Sequence, residues 1–384
     1  MATEQPVLET RLLSSLQQID ASAWNALAGT DYPFTRHEFL LALEESGATT
    51  AESGWQPCHA TLYQDDQLVA LMPLYIKSHS YGEYVFDWAW ADAWRRHGLN
   101  YYPKLVSAIP FTPATGPRLC IAAGADKPTL FKAMLRAIQL LADDQQLSSW
   151  HLLFPEQEDA VLLAELGTST RLASQFHWFN KGYESFDDFL AGFNSRKRKS
   201  LRRERRKVAE QGLELRVLEG SEIQAQHWQR FFHFYQLTYA KRSGHGGYLN
   251  REFFQRIGQS MPQHCVMVMA YLEGKTVAGS LCFKSSNTLY GRYWGCLEEL
   301  DCLHFEACYY QGIEYCIKHG LQRFDPGAQG EHKIQRGFEP IQTWSSHWIA
   351  NPEFAQAIAD FTRRENPHIE SYIAQARSYL PFKQ

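Results

Sequence analysis

Two segments of the chain, 59–76 and 266–283, follow the same pattern, and this repetition constrains the fold strongly. Each contains two runs of apolar and aromatic residues separated by a short polar turn, which is the pattern of a β-hairpin. When the two hairpins are aligned, Tyr63 coincides with Tyr271, and a Val-Ala pair begins six residues after each tyrosine. We therefore predict that the two halves of the chain share one structural unit.

The segments around the hairpins repeat as well. A helix is predicted before each hairpin, and an aromatic strand, a second helix and a short buried strand are predicted after it. In the first half these elements cover residues 36–45, 83–88, 128–142 and 150–154. In the second half they cover residues 222–241, 288–295, 303–319 and 321–325. Strands and helices in this order predict a duplicated α+β fold.

Length and charge limit the classes of protein to which the chain can belong. At 384 residues it is longer than a usual single core, so we expect two domains. The formal net charge of −4 provides no overall basic field, so any contact with nucleic acid or an anionic membrane must be local. The apolar runs are much shorter than the roughly 20 residues of a membrane-spanning helix, and the first residues lack the pattern of a secretion signal.

The eight cysteines show neither a disulfide framework nor a metal-binding pattern. None forms a Cys-x-x-Cys pair, and Cys296, Cys302, Cys308 and Cys316 are too far apart to be paired zinc ligands. We therefore expect reduced and mostly buried thiols, no metal site and a cytoplasmic location.

The segment 196–207 contains nine basic residues among its twelve. Phe193, Leu201 and Val208 form a narrow apolar stripe at helical spacing, which predicts a helix that packs by one thin face. Like charges at this spacing repel each other, so their density favours a contact with phosphate or RNA, and a solvated surface helix is the alternative. The candidate polyanion-binding residues are Arg196, Lys197, Arg198, Lys199, Arg202, Arg203, Arg205 and Arg206.

Several long motifs carry a family resemblance. They include Gln175-Phe-His-Trp178, Ser195-Arg-Lys-Arg-Lys199, Gly291-Arg-Tyr-Trp-Gly-Cys296, Asp325-Pro-Gly-Ala-Gln-Gly-Glu-His-Lys333 and the segment 77–92. Through these motifs the chain resembles the FemAB-like proteins, often labelled peptidoglycan biosynthesis proteins, of the GNAT acyltransferase superfamily. The resemblance implies two tandem GNAT-like domains, each a mixed sheet flanked by helices.

The resemblance also implies an N-acyltransferase or aminoacyltransferase. In that superfamily an acyl group carried by CoA or by the 3′ end of a tRNA is attacked by an acceptor amine, here on a small molecule or peptide. We place an N-terminal GNAT-like domain at 1–185, a basic connecting helix at 186–215, and a C-terminal GNAT-like domain with the site at 216–384. We expect no tightly bound cofactor, because acyl-CoA or aminoacyl-tRNA would act as a co-substrate.

One motif of GNAT enzymes is missing. These enzymes hold the CoA pyrophosphate with a glycine-rich turn at a helix N-terminus, where free backbone amides favour an anion. The corresponding junction in the second half, residues 298–306, is acidic and contains no glycine, and residues 112–118 in the first half contain one. This departure favours aminoacyl-tRNA or another carrier as donor, and such a donor would give the basic helix a use.

The second half contains more polar candidates than the first, and we place the chemistry there. Aminolysis needs an acceptor for the amine proton, a donor for the oxyanion and a proton for the leaving group. We predict His304, Glu306, Glu331 and His332 as catalytic residues, with helix capping or a surface ion pair in a turn as the alternatives. The predicted substrate-binding residues of this half are Arg292, Trp294, Gly327, Gln329, Gly330, Lys333 and Arg336. Arg292 needs a partner, either a substrate carboxylate or an acid such as Glu306.

In the first half, His79, Tyr81 and Asp87 are close together in sequence. An adjacent Ser-His pair does not place a hydroxyl on an imidazole, and no Gly-x-Ser-x-Gly motif occurs, so we exclude a serine hydrolase. We predict that these three residues bind substrate in the wall of an acceptor pocket between the domains. The alternative to an enzyme is a noncatalytic RNA- or anion-binding protein that uses the basic helix.

Overall fold

The computed structural model describes residues 8–244, 246–328 and 330–383. The strands of this part of the chain are β1 (Leu8–Leu13), β2 (Trp55–Pro57), β3 (His59–Gln64), β4 (Gln67–Met72), β5 (Tyr75–Lys77), β6 (Lys104–Ser107), β7 (Cys120–Ile121), β8 (Ser149–Leu153), β9 (Ser169–Phe179), β10 (Leu213–Glu219), β11 (Cys265–Leu272), β12 (Lys275–Lys284), β13 (Thr288–Cys296), β14 (Arg323–Asp325) and β15 (Glu339–Ile349).

The α-helices of the same residues are α1 (Ala21–Ala28), α2 (His37–Glu45), α3 (Trp88–Arg96), α4 (Lys127–Asp144), α5 (Gln157–Glu165), α6 (Phe186–Ala191), α7 (Ser195–Glu210), α8 (Ala225–Ser243), α9 (Arg251–Ser260), α10 (Leu303–Phe305), α11 (Gln311–His319) and α12 (Pro352–Ser378). A π-helical turn, Glu306–Tyr310, joins α10 to α11. Within the described ranges, no helix has the length and apolar composition needed to cross a bilayer.

The chain divides into two compact units, and each unit is built from two chain segments. Unit 1 comprises Met1–Ala173 and Thr343–Glu370, and unit 2 comprises Ser174–Gln342 and Ser371–Gln384. This division differs from the predicted boundary at residues 185 and 186, because the chain returns to unit 1 after Gln342 and then ends in unit 2.

Unit 1 contains two groups of paired strands. One is a sheet with the order β1-β3-β4-β7, and the other has the order β15-β8-β6-β5-β2, in which β6 and β8 are parallel. Helix α4 packs through Phe131, Met134 and Ile138, which recur at helical spacing and are fully buried with the strand residues. Its first turn is fixed by Asp126, whose carboxylate accepts a hydrogen bond from the backbone N–H of Thr129 at 3.1 Å.

Unit 2 contains a mixed sheet with the order β10-β11-β12-β13-β14-β9. Helix α8 approaches β13 very closely at Gly295, where an added Cβ would lie 2.1 Å from the carbonyl carbon of Phe234. A second core joins Trp178, Tyr310 and Phe324 on the sheet and the helices that cover it. Each unit therefore contains mixed β-sheet flanked by helices, with a further antiparallel sheet in unit 1, which confirms the predicted fold class.

The predicted hairpins are confirmed as β3 with β4 and β11 with β12. Both contain a register shift at the same place, between Leu62 and Tyr63 in unit 1 and between Ala270 and Tyr271 in unit 2. The two tyrosines that coincide in the sequence alignment thus occupy equivalent irregularities. All eight cysteines are free, and six of them are buried.

The aromatic strand predicted at 83–88 is wrong. The chain forms a loop up to Asp87, in which Tyr84 has a φ of 60°, and α3 begins at Trp88. The physical reason is a long-range attraction, because the amino group of Lys104 binds the carboxylates of both Glu83 and Asp87 and bends the segment toward itself.

Candidate active site

The parallel strands β13 and β14 pair over a short stretch and then separate. Their pairing extends from Thr288 with Arg323 to Tyr290 with Asp325, after which β14 ends and β13 continues. A cavity of about 120 Å³, here called the strand cavity, lies where they separate. Its lining includes Gly291, Arg292, Trp294, His304, Cys308, Tyr309 and Pro326.

A second cavity, of about 430 Å³ and here called the loop cavity, lies at the residues that lead into α10. Its lining combines basic and acidic side chains, including Lys241, Arg242, Glu299 and Asp301. Trp294 and His304 line both cavities, so the two cavities are neighbours. A ligand with a small group in the strand cavity and a larger part in the loop cavity would pass these two side chains.

His304 stands at the junction of the two cavities. Its ring centroid is 5.4 Å from that of Trp294 and 5.4 Å from that of Tyr309. Burial, and then the charge of Arg242, lower the pKa of His304 to about 4, so its imidazole is neutral at pH 7. The π-helical turn adds a residue to the helical repeat, so the ring of Tyr309, five residues after His304, lies beside the His304 ring.

Tyr309 lines the strand cavity and contacts the 3-10 helix Glu331–Arg336, which lies behind it. The Tyr309 hydroxyl forms a 2.9 Å hydrogen bond with Nε2 of His332, and burial raises the pKa of this phenol, which keeps its proton. Lys333 is buried, donates to the carbonyl of Gly327 at 2.6 Å, and has its pKa lowered by burial to about 8. Gly330 has a φ of 114°, which favours glycine, and an added Cβ would lie 2.3 Å from the His332 ring. These contacts fix the loop after β14 against the helix.

Arg292 is bound by the protein itself. Its Nη2 and Nη1 atoms donate to the two carboxylate oxygens of Asp325 at 2.6 and 3.2 Å, so its acidic partner is not Glu306. Burial alone would raise the pKa of Asp325, but Arg292 and His177 outweigh burial and lower it below its usual range. Arg292 is the extra residue of a β-bulge, since Leu281 pairs with Tyr293 and the next residue pairs with Gly291. The ion pair thereby holds the two strands at the point where they separate.

Glu306 and the predicted residues of the 3-10 helix, Glu331, His332, Lys333 and Arg336, do not line either cavity. Glu306 accepts a hydrogen bond from Arg205 at 2.9 Å, and Glu331 accepts one from Tyr372 at 2.6 Å. Arg336 donates to Glu204 at 3.0 Å. The structure thus brings His304, His332 and Lys333 together and turns the two glutamates toward other groups. The predicted substrate-binding residue Gln329 lies outside the described residues.

The candidates of the first half belong to unit 1 and surround a buried polar network. Asp87 accepts hydrogen bonds from Lys104 and from the Tyr101 hydroxyl. His79 contacts a backbone carbonyl through Nε2, whereas the side chain of Tyr81 is 55% exposed. The sequence signal for this network is the presence of lysines in short apolar strands, because a buried ammonium needs charged partners.

Helix α7 presents four cations on one exposed face, and we call this set the cationic stripe: Arg196, Lys199, Arg203 and Arg206. At 100° per residue they lie opposite the buried Leu201 and Val208, over about 15 Å of helix. None of the four forms an ion pair with a described residue, whereas Arg202 and Arg205 do. Near the end of α7, Lys207 binds Asp301 in the lining of the loop cavity at 2.6 Å.

Comparison with known proteins identifies the family. A FemAB-like family model, described as peptidoglycan biosynthesis/recognition, matches residues 15–384. The structure of FemX is similar at 12% identity, with 89% of this chain and 98% of that chain covered and a TM-score of 0.54. None of the curated proteins compared with the chain matches it.

Two further solved structures show the same fold. The C-terminal domain of a candidate lysylphosphatidylglycerol synthetase from Agrobacterium fabrum is 10% identical, covers 91% of this chain and 97% of that chain, and has a TM-score of 0.56. L-PGS from Bacillus licheniformis is 12% identical, with 85% of this chain and 96% of that chain covered and a TM-score of 0.50. The chain shares the fold of these structures, and the matching family indicates an acyltransferase. It belongs to the FemAB-like family.

Proposed function

We propose that unit 2 transfers an aminoacyl group from aminoacyl-tRNA to an amine, with the aminoacyl group in the strand cavity and the end of the carrier in the loop cavity. The observation that carries this proposal is the separation of β13 from β14 after Tyr290 and Asp325, which opens a small cavity beside a larger one. Two joined cavities of unequal size suit a small acyl group on a large carrier.

The residues of the strand cavity can supply the proton transfers. The acceptor amine attacks the ester carbonyl, the bond between that carbon and the ribose oxygen breaks, and the oxygen leaves with a proton. Tyr309 carries its proton at the start of the step and donates it to the leaving oxygen. His332 is hydrogen bonded to the Tyr309 hydroxyl and positions that hydroxyl. The neutral imidazole of His304 accepts the proton that the amine loses and returns it to the Tyr309 phenolate beside it, which restores both side chains. Glu306 and Glu331 are not assigned a catalytic step, since both bind other side chains.

The charges around the loop cavity support an RNA carrier over CoA. In its lining Glu299 and Asp301 balance Lys241 and Arg242, so these four side chains give no excess of positive charge for a pyrophosphate. The helix that follows Cys302 has three residues before the π-helical turn, so it offers a poor anion site. The cationic stripe suits a phosphate backbone, and the Lys207–Asp301 contact joins α7 to the rim of the loop cavity. The family description supports a peptidoglycan precursor peptide as the source of the acceptor amine.

A transfer assay tests the proposal. The full chain would be incubated with tRNA charged with radiolabelled amino acids, or with radiolabelled acyl-CoA, and with amine-bearing peptidoglycan precursors. We expect transfer from aminoacyl-tRNA alone, and the variant Tyr309→Phe should lower the rate by about 10²-fold or more, the usual range for loss of a general acid.

The matched control is Tyr315→Phe, because the Tyr315 hydroxyl is bound to Glu219 and Lys284, and this residue lines neither the strand cavity nor the loop cavity. Transfer from acyl-CoA, or equal rates for Tyr309→Phe and wild type, would contradict the proposal. If the protein binds tRNA through the cationic stripe without any transfer, the noncatalytic RNA-binding function is the correct one.

A further inference from the structure

Unit 1 exposes a cluster of aromatic side chains that the proposed reaction does not use. Tyr81, Phe86 and Trp88, here called the aromatic patch, are 55%, 59% and 43% exposed. The ring centroids of Tyr81 and Trp88 are 5.1 Å apart. Among the described residues, Tyr379 is the one other aromatic side chain exposed to a similar degree. Exposed apolar side chains clustered in this way usually mark an interaction surface.

Buried charged side chains hold the loop that carries the aromatic patch. Lys104 is fully buried and donates to Glu83 at 2.9 Å and to Asp87, and Arg171 donates to the backbone carbonyl of Phe86 at 2.7 Å. A buried ion pair adds little net free energy of folding, and an aromatic ring left exposed to water adds none, so stability does not explain either feature. Both features have one explanation if the buried network holds the rings in a fixed position at the surface.

Helix α3 extends the same surface. Its buried face carries Trp90 and Trp94, whereas Trp88, Asp92, Arg95 and Arg96 share the opposite face at helical spacing. The side chains of Arg95 and Arg96 are 82% and 74% exposed, and both pair with the single Asp92, so this face is positive. The protein as a whole has a net charge of −4. An exposed face that combines aromatic rings with arginines is the composition of surfaces that lie in a membrane interface.

We propose that the aromatic patch and the exposed face of α3 bind the surface of an anionic phospholipid bilayer. The rings would enter the headgroup region, and Arg95 and Arg96 would contact the phosphates. The rings of Tyr81 and Trp88 are inclined by 58° to each other, so they do not form the flat platform on which a single base or sugar would stack. This inference is independent of the transfer reaction proposed for unit 2.

Co-sedimentation of the full chain with vesicles tests this inference. The vesicles would contain phosphatidylcholine alone or phosphatidylcholine mixed with phosphatidylglycerol. We expect binding to the anionic vesicles, and the triple variant Tyr81→Ser, Phe86→Ser and Trp88→Ser should lower the partition coefficient by about tenfold or more, because interfacial binding scales with buried apolar area. The thermal midpoint of the triple variant should stay unchanged, since all three side chains are exposed.

The control variant Leu140→Ser with Val161→Ser removes two apolar side chains of unit 1 that are 51% and 52% exposed, and it should bind like the wild type. Replacing Arg95 and Arg96 by Gln should weaken binding to the anionic vesicles and leave any binding to neutral vesicles unchanged. The inference is overturned if the wild type does not sediment with anionic vesicles, or if the control variant loses as much binding as the triple variant.

Discussion

Replacing Arg292 by methionine should strongly destabilise unit 2. In the wild type two hydrogen bonds of 2.6 and 3.2 Å join Arg292 to Asp325, and each side chain is 1% exposed. Methionine fills part of the space but leaves the carboxylate buried without its counterion, and such a loss costs about 3 to 5 kcal/mol of the free energy of unfolding. The double variant Arg292→Met with Asp325→Asn removes both charges and should recover most of that loss.

The pH dependence of this effect has a defined sign. The folded pKa of Asp325 is lowered, so the pair contributes stability above the pKa of an unfolded aspartate, about 3.9, and this contribution is lost as the pH falls below that value. In Arg292→Met, burial acts on the carboxylate without the opposing arginine and raises its pKa. The difference between wild type and variant should therefore shrink between about pH 6 and about pH 3.

Urea denaturation followed by circular dichroism measures these differences. The matched control is Arg216→Met, because Arg216 forms an exposed pair with Glu214, with side chains 55% and 60% exposed, and its loss should change stability by less than about 1 kcal/mol. A loss below about 1 kcal/mol for Arg292→Met, or a double variant as unstable as the single one, would show that the pair does not hold the strands in this way.

Three further changes test other parts of the structure. Gly295→Ala would place a Cβ 2.1 Å from a backbone atom of Phe234, which should lower the free energy of unfolding by about 3 kcal/mol. In the control Gly246→Ala the new Cβ would lie 3.9 Å from the flexible side chain of Gln236, so thermal unfolding should be nearly unchanged. His151 and His347 are buried with lowered pKa values, so the unfolded state binds more protons than the folded state below about pH 6.5. The free energy of unfolding should therefore fall by about 2 kcal/mol per histidine as the pH decreases from about 6.5 to about 5. An unchanged melting midpoint over that range would contradict this prediction. Replacing the cationic stripe by Gln should reduce the slope of log affinity for tRNA against log salt by up to about 3.6, measured by filter binding, and an unchanged slope would exclude the stripe from the RNA contact.

The repetition of the fold could be predicted because it depends on local patterns. Alternating apolar residues and polar turns define each hairpin within about 18 residues, and the aligned tyrosines Tyr63 and Tyr271 both follow a register shift. The basic helix was predictable for the same reason, since Leu201 and Val208 mark its buried face. The separation of β13 from β14 could not be predicted from the sequence, because it depends on how two distant segments pair.

Contacts between distant residues account for the differences. The segment 83–88 has the composition of a strand, but Lys104 draws Glu83 and Asp87 into a loop. Glu306 is turned to Arg205, which is 101 residues away in sequence, and the π-helical turn changes which side chains face the cavity. Sequence periodicity contains no record of such pairings, so it located the helix and the loop of the candidate site but not the partners of their side chains.

Photo-crosslinking would locate the bound aminoacyl group most directly. A tRNA charged with a small diazirine-bearing amino acid would be bound to the full chain, irradiated, and the attached residues identified by mass spectrometry. We expect attachment to the lining of the strand cavity, in segments 280–282, 291–294 and 304–309. Attachment confined to unit 1, or equal labelling by the free amino acid, would contradict an aminoacyl site between β13 and β14.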